Sequence, residues 1–414
     1  MYRLHPGART QGQSDRVLCG NRSTRERRNP NVTSKVRLTL LALVLLVVVA
    51  FTAQGLHQER QLRAQIHPPS DAATWPFLWE PLKEYVYESG PDLVGLEPGV
   101  RHFRSSSLGL RGPELDPSTD PIRILTLGGS VTECALLADG STWPDRLQQM
   151  LSEALPQDPI WVGNGGKSGH AVLDYEVHAR TLVPALRPDI VVVMPGGNDL
   201  QAHAEDRYFP ADLSDQSVLK RYQSLLYQPQ GANSIAQLQL GYRQFLKRVR
   251  QSRHVINIGS FYKRMRQTRT AAVKLPELPD FDLLSKLYAS NLERLLQALR
   301  AAGVGEVVLA THPFLWSEQL SAEQQASLWA GYSCMNCATP RYYSAAALAS
   351  GLRRLNELTL AACAAHQDVI CADVEPAVPK TLANFYDDAH LQPAGAVRVA
   401  KVVAEALLNG RLSQ

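Results

Sequence analysis

Short apolar runs that alternate with helical segments constrain the fold of this chain more than any other feature of its sequence. The runs typical of buried strands cover residues 122–127, 160–162, 189–194, 306–310 and 368–374. The segments with helical periodicity cover residues 141–151, 171–186, 283–302, 345–365 and 393–408. Apolar strands separated by helices indicate a parallel sheet covered on both faces. Because crossovers between parallel strands are right-handed, the sequence predicts a doubly wound, three-layer α/β/α sandwich with about five strands.

The first 56 residues differ in composition from the rest of the chain. Residues 1–37 hold nine Lys/Arg and only two acidic residues, and residues 38–56 contain no charged residue. A helix of that length would span roughly 28 Å, close to the thickness of the hydrocarbon core of a bilayer. Because basic flanks stay in the cytoplasm, the sequence predicts a cytoplasmic tail, a transmembrane signal anchor at 38–56 and an extracytoplasmic, periplasmic domain held at the inner membrane. Ala-Gln-Gly at 53–55 also resembles a cleavage site, so a cleaved signal peptide is the alternative.

Further boundaries follow from breaks in the strand and helix pattern. Residues 57–118 are interpreted as a stalk and lead-in, and residues 119–414 as the globular domain, with a basic insertion at about 200–282. The window from Lys220 to Lys274 holds twelve Lys/Arg and no Asp or Glu. This charge indicates either a solvated helical face or a surface for anionic glycan or lipid head groups. The net charge of +4 is too small to indicate nucleic-acid binding.

Cysteine usage fits an oxidising compartment. Cys19 falls in the predicted cytoplasmic tail, which leaves an odd number of cysteines outside: Cys134, Cys334, Cys337, Cys363 and Cys371. In an exported protein these residues favour structural disulfides, with at least one thiol unpaired or bonded to another chain. A zinc knuckle or a redox pair built on Cys334 and Cys337 is the alternative, and the pairing cannot be deduced from the sequence.

Four short polar segments stand where an open α/β sheet binds its ligands, at the carboxyl ends of strands. They are Gly-Gly-Ser at 128–130, Asn-Gly-Gly at 164–166, Gly-Gly-Asn-Asp at 196–199 and Asp-Asp-Ala-His at 387–390. A serine exposed on a glycine turn is a candidate nucleophile, and a histidine with a nearby carboxylate is a candidate base. Backbone amides at glycines and the side-chain amide of asparagine are candidate donors to a developing oxyanion.

In this order, the four segments resemble the conserved blocks of the SGNH/GDSL hydrolases, and the resemblance covers residues 121–408. The preceding segment Gly-Leu-Arg-Gly-Pro-Glu at 109–114 also resembles a sequence that is common before this domain in exported bacterial members. The resemblance implies a flavodoxin-like hydrolase fold with Ser130 as nucleophile, His390 as base and Asp387 as the group that orients it. It also implies an oxyanion hole formed by the amides of Ser130 and Gly166 and the side chain of Asn198. Block one reads Gly-Gly-Ser instead of Gly-Asp-Ser, which bears on the substrate class more than on the serine.

Other polar residues lie close to the four segments in the sequence. Asp388 competes with Asp387 for the orienting role. His170 and His203 lie beside the second and third segments, where we predict structural or solvated roles, with substrate contact as the alternative. Cys134 follows the serine by four residues and is predicted to be a small buried hydrophobe instead of a second nucleophile.

The resemblance implies a serine ester hydrolase that works through an acyl-enzyme. The predicted location and the basic insertion favour acyl groups of a surface glycan or a lipid as its substrate. Two alternatives stay open: an O-acyltransferase that uses the same triad on a polysaccharide, and a catalytically silent module that binds a glycan. No HExxH, Walker or dinucleotide-binding pattern occurs in the sequence, which therefore indicates neither a metal nor a nucleotide cofactor.

Overall fold

A computed structural model describes residues 46, 49, 78–79, 81–90, 95–205, 256–335 and 337–410. Its strands are β1 (Glu84–Ser89), β2 (Gly99–Arg104), β3 (Ile122–Gly128), β4 (Ile160–Gly166), β5 (Ile190–Met194), β6 (Ile256–Asn257), β7 (Val273–Leu275), β8 (Glu306–Ala310), β9 (Tyr332–Cys334), β10 (Arg341–Tyr343) and β11 (Val369–Ala372). Its α-helices are α1 (Ser130–Glu133), α2 (Trp143–Ala154), α3 (Val172–Leu186), α4 (Gly197–Ala204), α5 (Gly259–Ala271), α6 (Phe281–Ala301), α7 (Ala322–Ser327), α8 (Ala345–Ala364) and α9 (Pro393–Asn409).

A central sheet of five parallel strands organises the described residues. The strand order is β11-β8-β5-β3-β4, so the chain first moves outward from β3 to β4 and then crosses back to β5 on the other side of β3. With right-handed crossovers, this reversal puts the helix between β3 and β4 on one face of the sheet and the helices of the later crossovers on the other. The predicted parallel sheet of five strands is confirmed, and each of its strands lies on one of the apolar runs identified in the sequence.

The helices cover the sheet in two groups. Helices α2 and α9 pack against each other on one face, and α3, α6 and α8 pack together on the other. All of β5 is buried, as expected for a strand that lies between two helical layers. Helix α2 begins with a capping box in which the Thr142 side chain accepts from the Asp145 amide and the Asp145 carboxylate accepts from the Thr142 amide.

Strand β4 is longer than the sequence predicted. It was expected to cover three residues, but its ladder with β3 continues to Gly166. The backbone of Asn164 also exchanges two hydrogen bonds with that of Arg111, at 3.0 and 3.2 Å. The sequence Gly-Asn-Gly-Gly is typical of a loop. In this strand the glycines instead allow close packing, because a Cβ on Gly163 would stand 2.5 Å from the Trp161 ring.

The described part of the segment interpreted as a stalk and lead-in is folded onto the sheet domain. Strands β1 and β2 form an antiparallel hairpin, and β6 pairs with β1. Leu78 and Phe103 are fully buried. The Nζ of Lys167, next to β4, donates to the Leu78 carbonyl at 2.6 Å and lies 3.7 Å from the centre of the Trp79 ring. The aromatic residues here therefore serve packing.

Most of the predicted amino-terminal elements lie outside the described residues. This holds for the basic tail at 1–37 and for the predicted anchor at 38–56, of which only Leu46 and Val49 are described. In the parts of the chain that are described, no helix is both long and apolar enough to cross a membrane.

The basic insertion is described only in part, because residues 206–255 lie outside the described ranges. Its first residues belong to α4 and its last ones to α5 and β7. Arg266 and Arg269 on α5 are buried: Arg266 donates to the carbonyl of Tyr386 at 3.0 Å, and Arg269 to the carbonyls of Ala330 and Tyr343. These two residues form neither a solvated face nor a ligand surface, but tie the insertion to loops of the domain.

Two disulfides join cysteines that are close in the chain, Cys334 with Cys337 and Cys363 with Cys371. The expectation of disulfides is confirmed, and the zinc alternative loses its thiolate ligands. Cys134 is the free cysteine of the described residues and is buried.

Candidate active site

Ser130 begins α1 directly after β3, so its hydroxyl stands at the carboxyl edge of the central sheet. The two preceding glycines allow close packing around this turn. A Cβ on Gly128 would overlap with the side chain of Thr132, and a Cβ on Gly129 would overlap with the side-chain amide of Asn198. The Gly-Gly-Ser sequence therefore lets Asn198 lie directly against the turn that carries the serine.

A chain of hydrogen bonds links Ser130, His390 and Asp387. The Nε2 of His390 lies 2.7 Å from the Oγ of Ser130, and its Nδ1 lies 2.7 Å from the Oδ2 of Asp387. Because a carboxylate only accepts, Nδ1 carries the hydrogen of the neutral ring and Nε2 is the acceptor for the serine hydroxyl. The three residues therefore have the geometry of a nucleophile, a base and the group that orients the base.

The Asp387 carboxylate is fully buried and surrounded by donors. Its Oδ1 accepts from the amides of Ala389 at 3.1 Å and His390 at 2.9 Å, and its Oδ2 accepts from the indole of Trp329 at 2.8 Å. Burial raises the pKa of this carboxyl, but the charge and hydrogen bonds of His390 and the bond from Trp329 outweigh burial and hold the pKa below its ordinary value. Asp387 is therefore a stable anion beside the imidazole.

The imidazole of His390 is held between two aromatic rings. The Tyr386 ring is stacked on it with centroids 5.5 Å apart, and the Trp329 ring lies parallel to it at 6.3 Å. Burial lowers the pKa of His390, but attraction to Asp387 and their hydrogen bond outweigh burial, so the pKa lies above its ordinary value of 6.5. A raised pKa makes the ring a stronger base, ready to take a proton from Ser130.

Asp388 points away from the histidine. Its Oδ1 accepts from the indole of Trp316 at 2.8 Å, and its Oδ2 accepts from the amides of Trp329 at 2.7 Å and Ala330 at 3.0 Å. This carboxylate holds the segment that follows α7 against the histidine loop. The geometry therefore gives the orienting position to Asp387.

Asn198 stands in the first turn of α4, after β5. Its Nδ2 donates to the carbonyl of His170 at 2.8 Å, which fixes the amide with its second hydrogen still available. The His170 carbonyl also accepts from the hydroxyl of Tyr175 at 2.9 Å. Asn198 and Ser130 both line one cavity, so this side chain is placed to donate to an oxygen bound beside the serine.

Gly166 does not occupy the position expected of an oxyanion donor. It is the last residue of β4, and its amide donates to the Oδ1 of Asn164 at 2.9 Å inside the protein. A Cβ on Gly166 would overlap with the backbone of Glu133, so this glycine serves the packing of α1 on β4. The assignment of its amide to the oxyanion hole is corrected, because the strand extends through the segment that was predicted to be a loop.

Gly169, three residues further on, lines the cavity with Ser130 and Asn198. It has φ +83°, a conformation that favours glycine. Glu133 fixes this loop, because its buried carboxylate accepts from the amide of Ser168. Within the described residues the Gly169 amide has no acceptor. The sequence signal that could have indicated Gly169 is its position in the loop after β4, whereas Gly166 belongs to the strand itself.

The serine and the histidine open into a cavity of about 530 Å³. One side is aromatic and the other is formed by small apolar residues and the beginning of α4. The residues that line the cavity include Val131, Leu173, Phe261, Tyr262, His312, Trp316, Trp329, Tyr332 and Leu352. Phe261 and Tyr262 belong to α5, so the end of the basic insertion supplies part of the cavity wall. None of these aromatic residues was assigned to the site from the sequence, since they follow no motif.

The remaining candidates have structural surroundings. His170 is buried and its Nδ1 lies 3.0 Å from the Nε2 of His178. His203 is half-buried and its Nε2 lies 3.2 Å from the carbonyl of Pro279. Cys134 is buried, and burial raises the pKa of its thiol to about 12, so it is not a nucleophile at neutral pH. In the described ranges, no group of three or more His, Cys, Asp or Glu is arranged to hold a metal ion.

This geometry defines a hydrolase-type site on a parallel α/β sheet. The sequence comparison then gives the family: the model of the GDSL-like lipase/acylhydrolase family matches residues 126–398, about two thirds of the chain. The chain belongs to this family and is an enzyme that hydrolyses ester bonds. The resemblance to the SGNH/GDSL hydrolases is thereby confirmed.

The solved structures that are similar to this chain are distant in sequence. An α/β hydrolase enzyme from the metagenome of Lake Arreo, Spain, is 16% identical, with a TM-score of 0.37, and the match covers 69% of this chain and 93% of that chain. An acetylxylan esterase from Geobacillus stearothermophilus is 15% identical, with a TM-score of 0.35, and the match covers 69% and 92% of the two chains. No curated protein sequence matches the chain.

Proposed function

We propose that the chain is a serine ester hydrolase in which Ser130, His390 and Asp387 act as the catalytic triad. The observation that carries this proposal is the unbroken pair of 2.7 Å hydrogen bonds from Ser130 to His390 and from His390 to Asp387, at the floor of a cavity. The Ser130 hydroxyl attacks the ester carbonyl while Nε2 of His390 takes its proton. His390 then protonates the leaving alcohol and activates the water that releases the acyl group.

We further propose that three donors hold the tetrahedral oxyanion: the amides of Ser130 and Gly169 and the side chain of Asn198. The Ser130 amide belongs to the first turn of α1 and, like that of Gly169, has no acceptor among the described residues. Amides fixed by the fold stabilise the charge that develops in the transition state without reorganising during the reaction.

Asn198→Ala should lower kcat roughly 100- to 1,000-fold, because it removes one oxyanion donor. The hydrogen bond to the His170 carbonyl is lost as well, so thermal unfolding of the variant is measured beside the kinetics. His203→Ala, in the same helix but outside the cavity lining, is the control and should retain full activity. A kcat within a few-fold of wild type for Asn198→Ala would remove this residue from the oxyanion hole.

We propose an inner-membrane location, with the catalytic domain on the extracytoplasmic, periplasmic side. Support comes from the uncharged segment at 38–56, its basic flank, and two disulfides, which persist in oxidising compartments. The full chain should stay in the membrane fraction after an alkaline carbonate wash, whereas a chain without residues 38–56 should be released. Release of the full chain, or a mature protein that begins just after residue 55, would contradict an uncleaved anchor.

The proposed substrates are acyl groups of a surface glycan or a lipid. An anionic glycan or lipid head group is also the ligand that we propose for the basic residues between 220 and 253, which lie outside the described ranges. Product analysis tests the reaction type: with 4-nitrophenyl acetate and a sugar acceptor present, a hydrolase releases one acetate for each nitrophenol. Acetate recovered instead as a sugar ester would show acyl transfer, and wild type without turnover would favour a binding module.

A further inference from the structure

His312 is a buried histidine in the cavity that the triad does not use. It follows β8 at the carboxyl edge of the sheet, and only 6% of its surface is exposed. Its backbone is clamped by Asn356, whose Oδ1 accepts from the His312 amide at 2.8 Å and whose Nδ2 donates to the His312 carbonyl at 3.0 Å. These two hydrogen bonds therefore fix the backbone that carries the ring.

The carbonyl of Pro313 shows which nitrogen of the His312 ring carries the hydrogen. Nδ1 lies 2.9 Å from the carbonyl of Pro313, and a carbonyl only accepts, so Nδ1 carries the hydrogen. In the neutral ring Nε2 is then a bare acceptor. Burial lowers the pKa of His312 to about 4, and repulsion by His390 acts in the same direction, so the ring is neutral at neutral pH.

Nε2 of His312 has no hydrogen-bond donor among the described residues. The atom faces the start of α4, where a Cβ on Gly197 would stand 2.5 Å away, and the ring lines the cavity together with Ser130, Asn198 and His390. A hydroxyl on a bound ligand can donate to this acceptor in place of the water that solvates it in the open cavity. The donor must reach this atom from the cavity.

Another part of the cavity lining is aromatic. Trp329 lies parallel to the His390 ring, and Phe261 meets Trp329 edge to face with centroids 5.7 Å apart. Phe261 is 41% exposed although it is a large apolar residue. Flat aromatic surfaces bind the C–H faces of a sugar ring, whereas the hydroxyl groups at the rim of that ring are hydrogen-bond donors. The acceptor on His312 and the aromatic pair of Phe261 and Trp329 therefore match these two chemical features of a pyranose.

We propose that His312 recognises a free hydroxyl of a partially acylated sugar, with Nε2 as the acceptor and the Phe261–Trp329 surface as the platform for the sugar ring. This inference rests on the proposed serine hydrolase function and specifies its substrate class. Sites built to hydrogen-bond a substrate hydroxyl discriminate strongly against analogues that lack it, because their own polar group is then left unpaired.

The test compares two acetate esters with the same six-membered ring. A methyl glucoside acetylated at its 6-position carries free ring hydroxyls, and cyclohexylmethyl acetate has none. Wild type should prefer the sugar ester in kcat/KM. His312→Phe, which keeps ring volume and removes the acceptor, should reduce that preference about ten-fold or more, mainly through KM. His312→Gln, whose amide oxygen reaches the position of Nε2, should restore most of it, and His203→Gln should not change it.

Each outcome is decisive. If His312→Phe and wild type show the same preference, while both react with a fluorophosphonate at Ser130, the inference is wrong and the proposed function stands. A preference that instead follows a hydroxyl on the acyl chain, as between ethyl 3-hydroxybutyrate and ethyl butyrate, would overturn the sugar assignment. If wild type hydrolyses none of the esters and Ser130 is not labelled, the proposed function itself fails.

Discussion

Replacing Ser130 by alanine should abolish ester hydrolysis, with kcat lowered at least about 10⁴-fold. Without the hydroxyl, no acyl-enzyme forms, and only the oxyanion donors and substrate binding remain to stabilise a direct attack by water. The side chain is small and stands at the cavity edge, so its removal should leave the free energy of unfolding nearly unchanged. Hydrolysis of 4-nitrophenyl acetate and thermal unfolding of both proteins measure the two effects.

Ser168→Ala is the matched control, because Ser168 lines the same cavity and its backbone amide still donates to Glu133 when the hydroxyl is removed. This control should retain activity within about three-fold of wild type. Turnover by Ser130→Ala that approaches the wild-type rate would exclude a serine mechanism centred on this residue.

Replacing Asp387 by asparagine should lower kcat on the order of 10⁴-fold while the fold is retained. The reason lies in the donors around the carboxylate. Oδ1 faces two backbone amides and Oδ2 faces only the indole N–H of Trp329, so the oxygen of an asparagine would take the Oδ1 position. Its NH₂ group would then face Nδ1 of His390 as well as that indole. Nδ1 would then have to accept, the ring hydrogen would move to Nε2, and Nε2 could no longer accept the proton of Ser130.

The pH profile provides a second readout of the same substitution. Catalysis requires neutral His390, so kcat/KM should fall as the pH drops through the pKa of His390, which lies above 6.5 in wild type. Asp387→Asn removes the attraction that raises this pKa and leaves the burial that lowers it. The acid limb of the residual activity should therefore move to lower pH, and an NMR titration of the His390 ring should shift in the same direction.

Asp388→Asn distinguishes the two neighbouring carboxylates. Asp388 accepts from three donors on Trp316, Trp329 and Ala330, so the substitution should cost about 1–3 kcal/mol of stability through one unsatisfied contact. Its kcat should fall less than about ten-fold, because the carboxylate does not touch His390. If Asp388→Asn lost as much activity as Asp387→Asn and moved the acid limb at least as far, the orienting role would have to be reassigned.

The sheet was predictable from sequence because its strands are buried on both faces. Such strands appear as continuous apolar runs, of which Ile190–Met194 is the clearest, and their order along the chain gives the crossovers. The positions of Ser130, Asn198 and His390 followed from the ends of these elements. The hairpin of β1 and β2 was missed because its burial comes from contacts with the sheet domain, which leave no periodic signal in its own residues.

Contacts between distant segments explain the other differences. Trp329 donates to Asp387 from 58 residues away, and no local pattern marks a tryptophan for this role. Gly166 and Gly169 look equivalent in the sequence, and only the hydrogen bonds of β4 show that the first is inside a strand and the second in the cavity wall. The disulfide pairing and the presence of His312 in the cavity wall likewise depend on three-dimensional proximity.

The most direct test of the proposed mechanism is to locate the reactive serine chemically. The full chain is treated with a fluorophosphonate probe, digested and analysed by mass spectrometry, with Ser130→Ala treated in parallel. The probe reacts with a serine only when a base activates it and the oxyanion donors surround it. We expect one adduct, on the peptide that contains Ser130, and none in the variant. An adduct on another residue, or ester turnover by wild type without any adduct at Ser130, would contradict the assignment of Ser130 as the nucleophile.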